Sequence, residues 1–170
     1  MLNVKKSPAE SRCGLMTETK KRFRSFQKLF HSHCIICGKK HPLGLKLPFH
    51  ACKDGSVKAR FFCDQLLQGY PGLMHGGVIA AILDGAMMNC LFAHGRIAVT
   101  GALTVRFLSP LAVKQAATVR ARIKKSISAW HILESELLQG KRVIAKGTAK
   151  FMECTEHFLK QHKIAGENKK

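Results

Sequence analysis

Gly69-Tyr-Pro-Gly-Leu-Met-His75-Gly76-Gly77-Val-Ile-Ala-Ala-Ile-Leu-Asp84-Gly-Ala-Met-Met-Asn-Cys-Leu-Phe-Ala93 reads as a turn followed by a helix. Pro71 and Gly72 punctuate the turn. Val78, Ile79, Ile82, Leu83, Ala86, Met87, Cys90 and Leu91 then recur at three- and four-residue spacing. The opposite face is little more polar, so the helix is expected to be buried nearly all round. One carboxylate, Asp84, stands in its middle. Burying a lone charge is costly unless it is paired or neutralised. Asp84 is therefore either held in a structural hydrogen bond or used as a base or nucleophile, its basicity raised by desolvation.

The start of the helix has its own chemistry. Gly76 and Gly77 let another group approach the backbone. Free N–H groups of a first helical turn favour a developing negative oxygen. Gly77 and Asp84 are seven residues apart, which is ~10 Å along a helix axis. One helix cannot bring both to a single reacting carbon. Two antiparallel copies about a two-fold axis can, which predicts a dimer with two shared sites.

Composition narrows the class. The chain has 170 residues, most simply one domain with a tail at each end. Its 46% apolar content is ordinary for a soluble globular chain. Lys and Arg number 29 against 10 Asp and Glu, a formal charge of +19 that attracts polyanions, phosphate-bearing cofactors included. Nucleic acid is not expected as the partner, because a single Trp and a single Tyr fall short of the interleaved aromatics of single-strand readers. Seven cysteines, an odd count, and a first segment without an apolar leader predict reduced thiols and a cytoplasmic protein. The apolar run 76–93 is short for a span and is interrupted by Asp84, so no transmembrane segment is expected.

Residues 1–30 form a basic extension in which Phe23, Phe26, Leu29 and Phe30 predict a short amphipathic helix packed on the domain. The domain is expected over 31–156, followed by a basic tail, 157–170, that frays. Strands are expected over Leu43–Cys52 and Ser56–Cys63, joined by an Asp54-Gly55 turn. Four more follow the helix: Val99–Leu108, Ala117–Lys125, Ser128–Leu138 and Lys141–Phe151. His94-Gly95 ends the helix. Two strands, an apolar helix and four strands describe an α+β domain whose antiparallel sheet wraps around a central helix. Cys34-x-x-Cys37 supplies half of a structural zinc site, and His31, His33, Cys52 or Cys63 would have to complete it. No second Cys pair is present, so no metal is expected.

His-Gly-Gly, an Asp nine residues after that His, and Gln-Gly-x-Pro-Gly ahead of the helix together resemble the hotdog-fold acyl-CoA thioesterases of the PaaI-like group. The likeness runs from Cys34 to Glu153 and takes in Cys34-Ile-Ile-Cys37-Gly38 and Pro42-Leu-Gly44-Leu45-Lys-Leu47. The resemblance implies a hotdog fold and cofactor-independent hydrolysis of an acyl-CoA thioester by a homodimer or dimer of dimers. The thioester carbonyl would point at the Gly77 N–H, beside Gly76. Asp84 of the partner chain would activate water or attack the carbonyl. His75 would orient the carbonyl or a water, or else cap the helix. Thr100, sixteen residues after Asp84, falls where some relatives carry a Thr or Ser beside the catalytic water; as a plain strand residue it would face solvent. Gln68 is the polar candidate before the Pro-Gly turn, while Gly69 departs from the Asn of one branch. Arg106, Arg120, Arg122 and Lys124 are candidate holders of CoA phosphates, since Arg suits bidentate phosphate contacts; otherwise all four line a solvated strand face. A hotdog module that binds an acyl group or CoA without hydrolysing it is the alternative. A hotdog dehydratase fits less well, because its His–acid pair finds no place here.

Overall fold

A computed structural model describes residues 17–162, with side chains from residue 20 onward. Expectations for 1–16, including Cys13, and for 163–170 lie outside the described residues.

The central helix α2 spans Gly76–Ala93. His75 caps its N-terminus, and Gly95, at φ +71°, turns the chain out of it in the left-handed conformation that Gly adopts without strain. From Ile82 to Ala93 every residue except Asp84 is buried. This helix is long and apolar enough to cross a membrane, but it is the core of the domain: the sheet and α1 (Thr17–Phe30) cover it.

The sheet has six strands in the order β1-β2-β6-β7-β8-β5, antiparallel throughout. These are β1 (His50–Ala51), β2 (Val57–Phe62), β5 (Ala98–Phe107), β6 (Ala116–Ile127), β7 (Trp130–Gln139) and β8 (Arg142–Glu153). Two short strands, β3 (Gln68–Tyr70) and β4 (Leu73–Met74), pair with each other just ahead of α2. Alternation does the expected work in β2, where Val57, Ala59 and Phe61 are buried and Lys58, Arg60 and Phe62 are exposed. Val119, Ala121, Leu133, Leu137, Ala145, Ala149 and Phe151 extend the same inner surface against α2. The result is the hotdog fold, an antiparallel sheet wrapped around one apolar helix.

Three departures from the sequence reading have physical causes. The strand expected over Leu43–Cys52 shrinks to His50–Ala51. Lys46 has φ +50°, Pro48 has no N–H to give a ladder, and the Leu45 and Leu47 N–H groups donate to Ile35 and Ile36 carbonyls instead. The strand expected from Ser128 starts two residues later, because Ser128, at φ +51°, is part of the turn. The basic tail begins as a short helix, α3 (Glu156–Gln161), whose N-cap Thr155 accepts from the Phe158 N–H.

At the basic N-terminal end, α1 packs as an amphipathic helix on α2. Phe23 is buried, and the rings of Phe26 and Phe30 meet Phe92 at 6.0 and 6.3 Å. The Gln27 amide donates to Asn89 Oδ1 at 2.7 Å, which fixes Asn89 in a structural role.

At the other side of the sheet, β5 is a free edge ten residues long. Most of it is exposed, with Leu103 and Phe107 among the exposed apolar side chains. An unprotected apolar edge of that length is a template for pairing with another chain.

Candidate active site

Asp84 sits half-buried between the buried Leu83 and Gly85. Burial pushes its carboxyl above the ordinary carboxylate range; the Thr100 hydroxyl opposes this, nearby Cys34 adds to it, and His31 works against it. Thr100 Oγ1 donates to Asp84 Oδ1 at 2.8 Å. The structure therefore joins these two residues directly.

A bulge makes that bond. Thr100 pairs with the inward-facing Phe151, and Ala102 pairs with the outward-facing Lys150, so Gly101 is the extra residue between them. Strict alternation back from Leu103, Val105 and Phe107 would turn Thr100 to the outer face. The inserted Gly101 turns it toward α2 and its carboxylate. A Cβ at Gly101 would lie 3.4 Å from the Lys150 carbonyl oxygen, so the bulge is tight against β8.

The helix start lies farther along the same strand. A Cβ at Gly76 would lie 3.6 Å from the Phe107 ring. The Gly77 N–H is not free, as the sequence reading had it: His75 Nδ1 accepts its hydrogen bond at 3.0 Å. His75 follows the turn in an extended conformation, so its ring folds back over the first turn and satisfies an N–H that would otherwise be orphaned. The ring is solvent-exposed, and a rotation of the side chain releases the donor.

The remaining candidates are placed elsewhere. Gln68 Oε1 accepts from the Gly72 N–H at 3.1 Å, which braces the Pro71-Gly72 turn. Arg120 is ion-paired with Glu136, and Arg122 with Glu134 at 3.1 Å. Both arginines alternate with the buried Val119 and Ala121, so they lie on the outward sheet face, away from α2. A surface cavity of about 440 Å³ is lined there by Asp54, Ser56, Glu134, Glu136 and both arginines. Neither Asp84 nor Thr100 is among the residues that line it. Arg106 is exposed on β5 and pairs in register with Lys146.

Sequence reasoning missed one polar cluster. His131, fully buried on β7, has Nε2 3.0 Å from Glu153 Oε2 and Nδ1 3.0 Å from Ser126 Oγ. Arg96 donates to the same Glu153 oxygen at 2.8 Å. Burial acts against the Glu153 charge, but His131 and Arg96 together hold its carboxyl below the ordinary range. The signal was a His at an inward-facing position of an alternating strand. Four partners satisfying one another mark the cluster as a tie between β6, β7, β8 and the segment just ahead of β5.

Comparison with known proteins agrees with this architecture. Residues 71–137 match the thioesterase superfamily. Over 59 residues the chain is 34% identical to the mouse acyl-coenzyme A thioesterase THEM4, a stretch that is 35% of this chain and 25% of that protein. The chain thus matches only about a quarter of the length of that curated relative. The E. coli PaaI protein from the phenylacetic acid degradation operon superposes with a TM-score of 0.70 at 15% identity, over 84% of this chain and 97% of that one. A hypothetical thioesterase protein from Streptococcus pneumoniae, solved with coenzyme A, gives 0.59 at 16% identity, over 62% and 86%. At those identities the two structures speak for the fold, while the sequence match covers the turn, α2 and the strands through most of β7. The chain therefore has the hotdog fold, and its stretch from the turn through α2 into β7 is similar in sequence to the thioesterase superfamily.

Proposed function

We propose that the chain hydrolyses acyl-CoA thioesters, as a homodimer paired along β5. The observation that carries this reading is the Asp84–Thr100 pair: a half-buried carboxylate on an otherwise apolar helix, with its basicity raised by burial and its orientation fixed by a hydroxyl. Asp84 takes a proton from water as the water oxygen adds to the thioester carbonyl carbon. The carbonyl oxygen becomes an oxyanion, received by the N-terminal N–H groups of the partner's α2 once the His75 ring has swung aside. Collapse breaks the C–S bond, and the proton held by Asp84 goes to the leaving CoA thiolate. The products are the free acid and CoA. Direct attack by the Asp84 carboxylate, with the mixed anhydride then hydrolysed by water, uses the same atoms.

The exposed β5 edge supports the dimer. Asp84 lies beside one end of that strand, at Thr100, and the helix start lies beside the other, at Phe107. Antiparallel pairing of two β5 edges would set each Asp84 toward the other chain's Gly77. CoA fits the strongly basic chain, and the pneumococcal protein of similar fold was solved with CoA. The paired Arg120 and Arg122 would meet phosphate only by exchanging their glutamates, so exposed Arg106, on the edge strand itself, is the stronger candidate of the three.

One observation favours the alternative, a hotdog module that binds CoA without hydrolysing it: the Gly77 donor is already satisfied by His75. Thiol release from a panel of acyl-CoAs, with Asp84→Asn beside the wild type, tests the two. Hydrolysis requires that the variant lose about 10²- to 10⁴-fold in kcat while still binding CoA. No turnover by the wild type on any substrate, with CoA bound, would leave the binding module.

A further inference from the structure

We propose that His31, Cys34 and Cys37 form a zinc site, in the segment that joins α1 to the sheet. The sequence alone argued against a metal because it offered one Cys pair and no partner pair. The fold supplies the third ligand: α1 ends at Phe30 and delivers the next residue, His31, to the Cys turn. One donor atom from each of the three residues lies within 4.8 Å of the other two. His31 Nδ1 is 3.5 Å from Cys37 Sγ. Tetrahedral zinc with bonds of about 2.3 Å to sulfur and about 2.05 Å to nitrogen sets that edge at about 3.6 Å and the sulfur–sulfur edge at about 3.8 Å. Closing the triangle on an ion therefore takes movements of under about 1 Å.

The surroundings point the same way. The Ile36 N–H donates to Cys34 Sγ at 3.4 Å, and the Asn89 amide donates to Cys37 Sγ at 3.5 Å. Each sulfur thus receives an N–H, the arrangement that stabilises a thiolate and orients it toward a metal. Asn89 is fully buried, and its amide is fixed by the Gly85 carbonyl and by Gln27. Gly38 closes the turn through its N–H to the Cys34 carbonyl at 2.8 Å. A Cβ there would come within 2.4 Å of Cys34 N and 2.6 Å of Cys34 O, both backbone atoms, so only Gly permits this turn.

Zn²⁺ binds both cysteines as thiolates, and their thiol protons pass to solvent as the two Zn–S bonds form. Two thiolates and an imidazole are the donor set of a zinc site whose fourth position takes water or an exchangeable ligand. A Cys34–Cys37 redox pair is the rival, but it gives no account of an imidazole at ligand distance. Ile36 of this turn packs against Gly85, next to Asp84, so the ion would brace one wall of the candidate active site. The zinc site does not depend on thioester hydrolysis.

The test uses the full chain, purified under reducing conditions and without chelator. Elemental analysis should find one zinc per chain. Replacement by Co²⁺ should give a thiolate-to-cobalt charge-transfer band with the strong visible bands of tetrahedral cobalt. Cys37→Ser and His31→Gln should each weaken zinc binding by about 10- to 100-fold or more, and Cys154→Ser, a distant thiol, should leave it unchanged. Zinc should protect Cys34 and Cys37 from alkylation but not Cys154. The proposal falls if the reduced protein carries no stoichiometric zinc and shows no charge-transfer band. It falls equally if folded His31→Gln keeps full affinity, or if Cys34 and Cys37 form a disulfide in air while their reduced form binds no metal.

Discussion

Thr100→Val removes a hydroxyl and leaves the shape of the side chain nearly unchanged, which isolates the one hydrogen bond seen at Asp84. That bond, at 2.8 Å to a carboxylate oxygen, favours the charged form of Asp84 over its neutral form. Hydrogen bonds to charged groups contribute about 1.5–3 kcal/mol when buried, and the exposure of Thr100 brings this one to about 1–1.5 kcal/mol. If the base must be deprotonated, activity on the acid side of the profile is proportional to the carboxylate fraction. Losing about 1–1.5 kcal/mol of carboxylate stabilisation then lowers activity there about five- to twelvefold and moves the acid limb of kcat/KM to higher pH. Well above the limb the carboxylate fraction is full in both proteins, and the difference narrows to whatever the hydroxyl contributes to orientation. Thr100→Ser keeps the donor and should restore the limb. The assay is the pH dependence of thiol release for the three proteins on one acyl-CoA. An unmoved limb in Thr100→Val, or a limb that Thr100→Ser fails to restore, would refute the assignment of Thr100 as the group that sets Asp84.

Three further outcomes are expected. Asp84→Asn should be more stable than the wild type at neutral pH, because a carboxyl raised by burial favours the fold only while protonated; the gap should close as pH falls through its raised value, as urea unfolding at neutral and acid pH will read. Ser135→Ala should raise stability by about 1 kcal/mol in the same assay, since Ser135 Oγ is buried with no hydrogen-bond partner among the described residues. If the chain pairs along β5 as proposed, Leu103→Lys, near the middle of that strand, should give a monomer in sedimentation velocity and abolish the proposed thiol release, because antiparallel pairing of the two edges sets like charges side by side.

The fold was legible because its parts have different periods. Three- and four-residue spacing from Val78 to Leu91 could only be a helix, and alternation in Val57–Phe61 and Val119–Ile123 could only be strand. Where alternation is broken by backbone chemistry, the reading failed. Leu43–Cys52 has enough apolar residues for a strand, but Pro48 and the left-handed Lys46 deny it a ladder. The pairing of Arg120 and Arg122 was hidden by a bulge. The turn pairs Ile127 with Trp130, a register that alone would put Arg122 opposite Ser135; the shift between Ile123 and Lys125 sets Arg122 opposite Glu134 and Arg120 opposite Glu136 instead. Read one strand at a time, the arginines looked available for phosphate.

The site was harder to read because its two decisive features are exceptions to periodicity. Thr100 faces Asp84 only through the extra residue at Gly101, and a Gly interrupting a strand pattern was the one available sign of a bulge. Deleting Gly101 would restore strict alternation and return the Thr100 hydroxyl to the outer face, with Asp84 left without its donor. The strand would be more regular and the carboxylate worse placed. His75 is the second exception. Sequence gave it a choice between cap and participant, and the geometry gives it the cap at Gly77. An N–H satisfied by a movable, exposed ring costs little to release, whereas one buried and bare would destabilise the helix start at all times. The cap is therefore compatible with catalysis on one condition: substrate must displace an imidazole that the helix itself has been using.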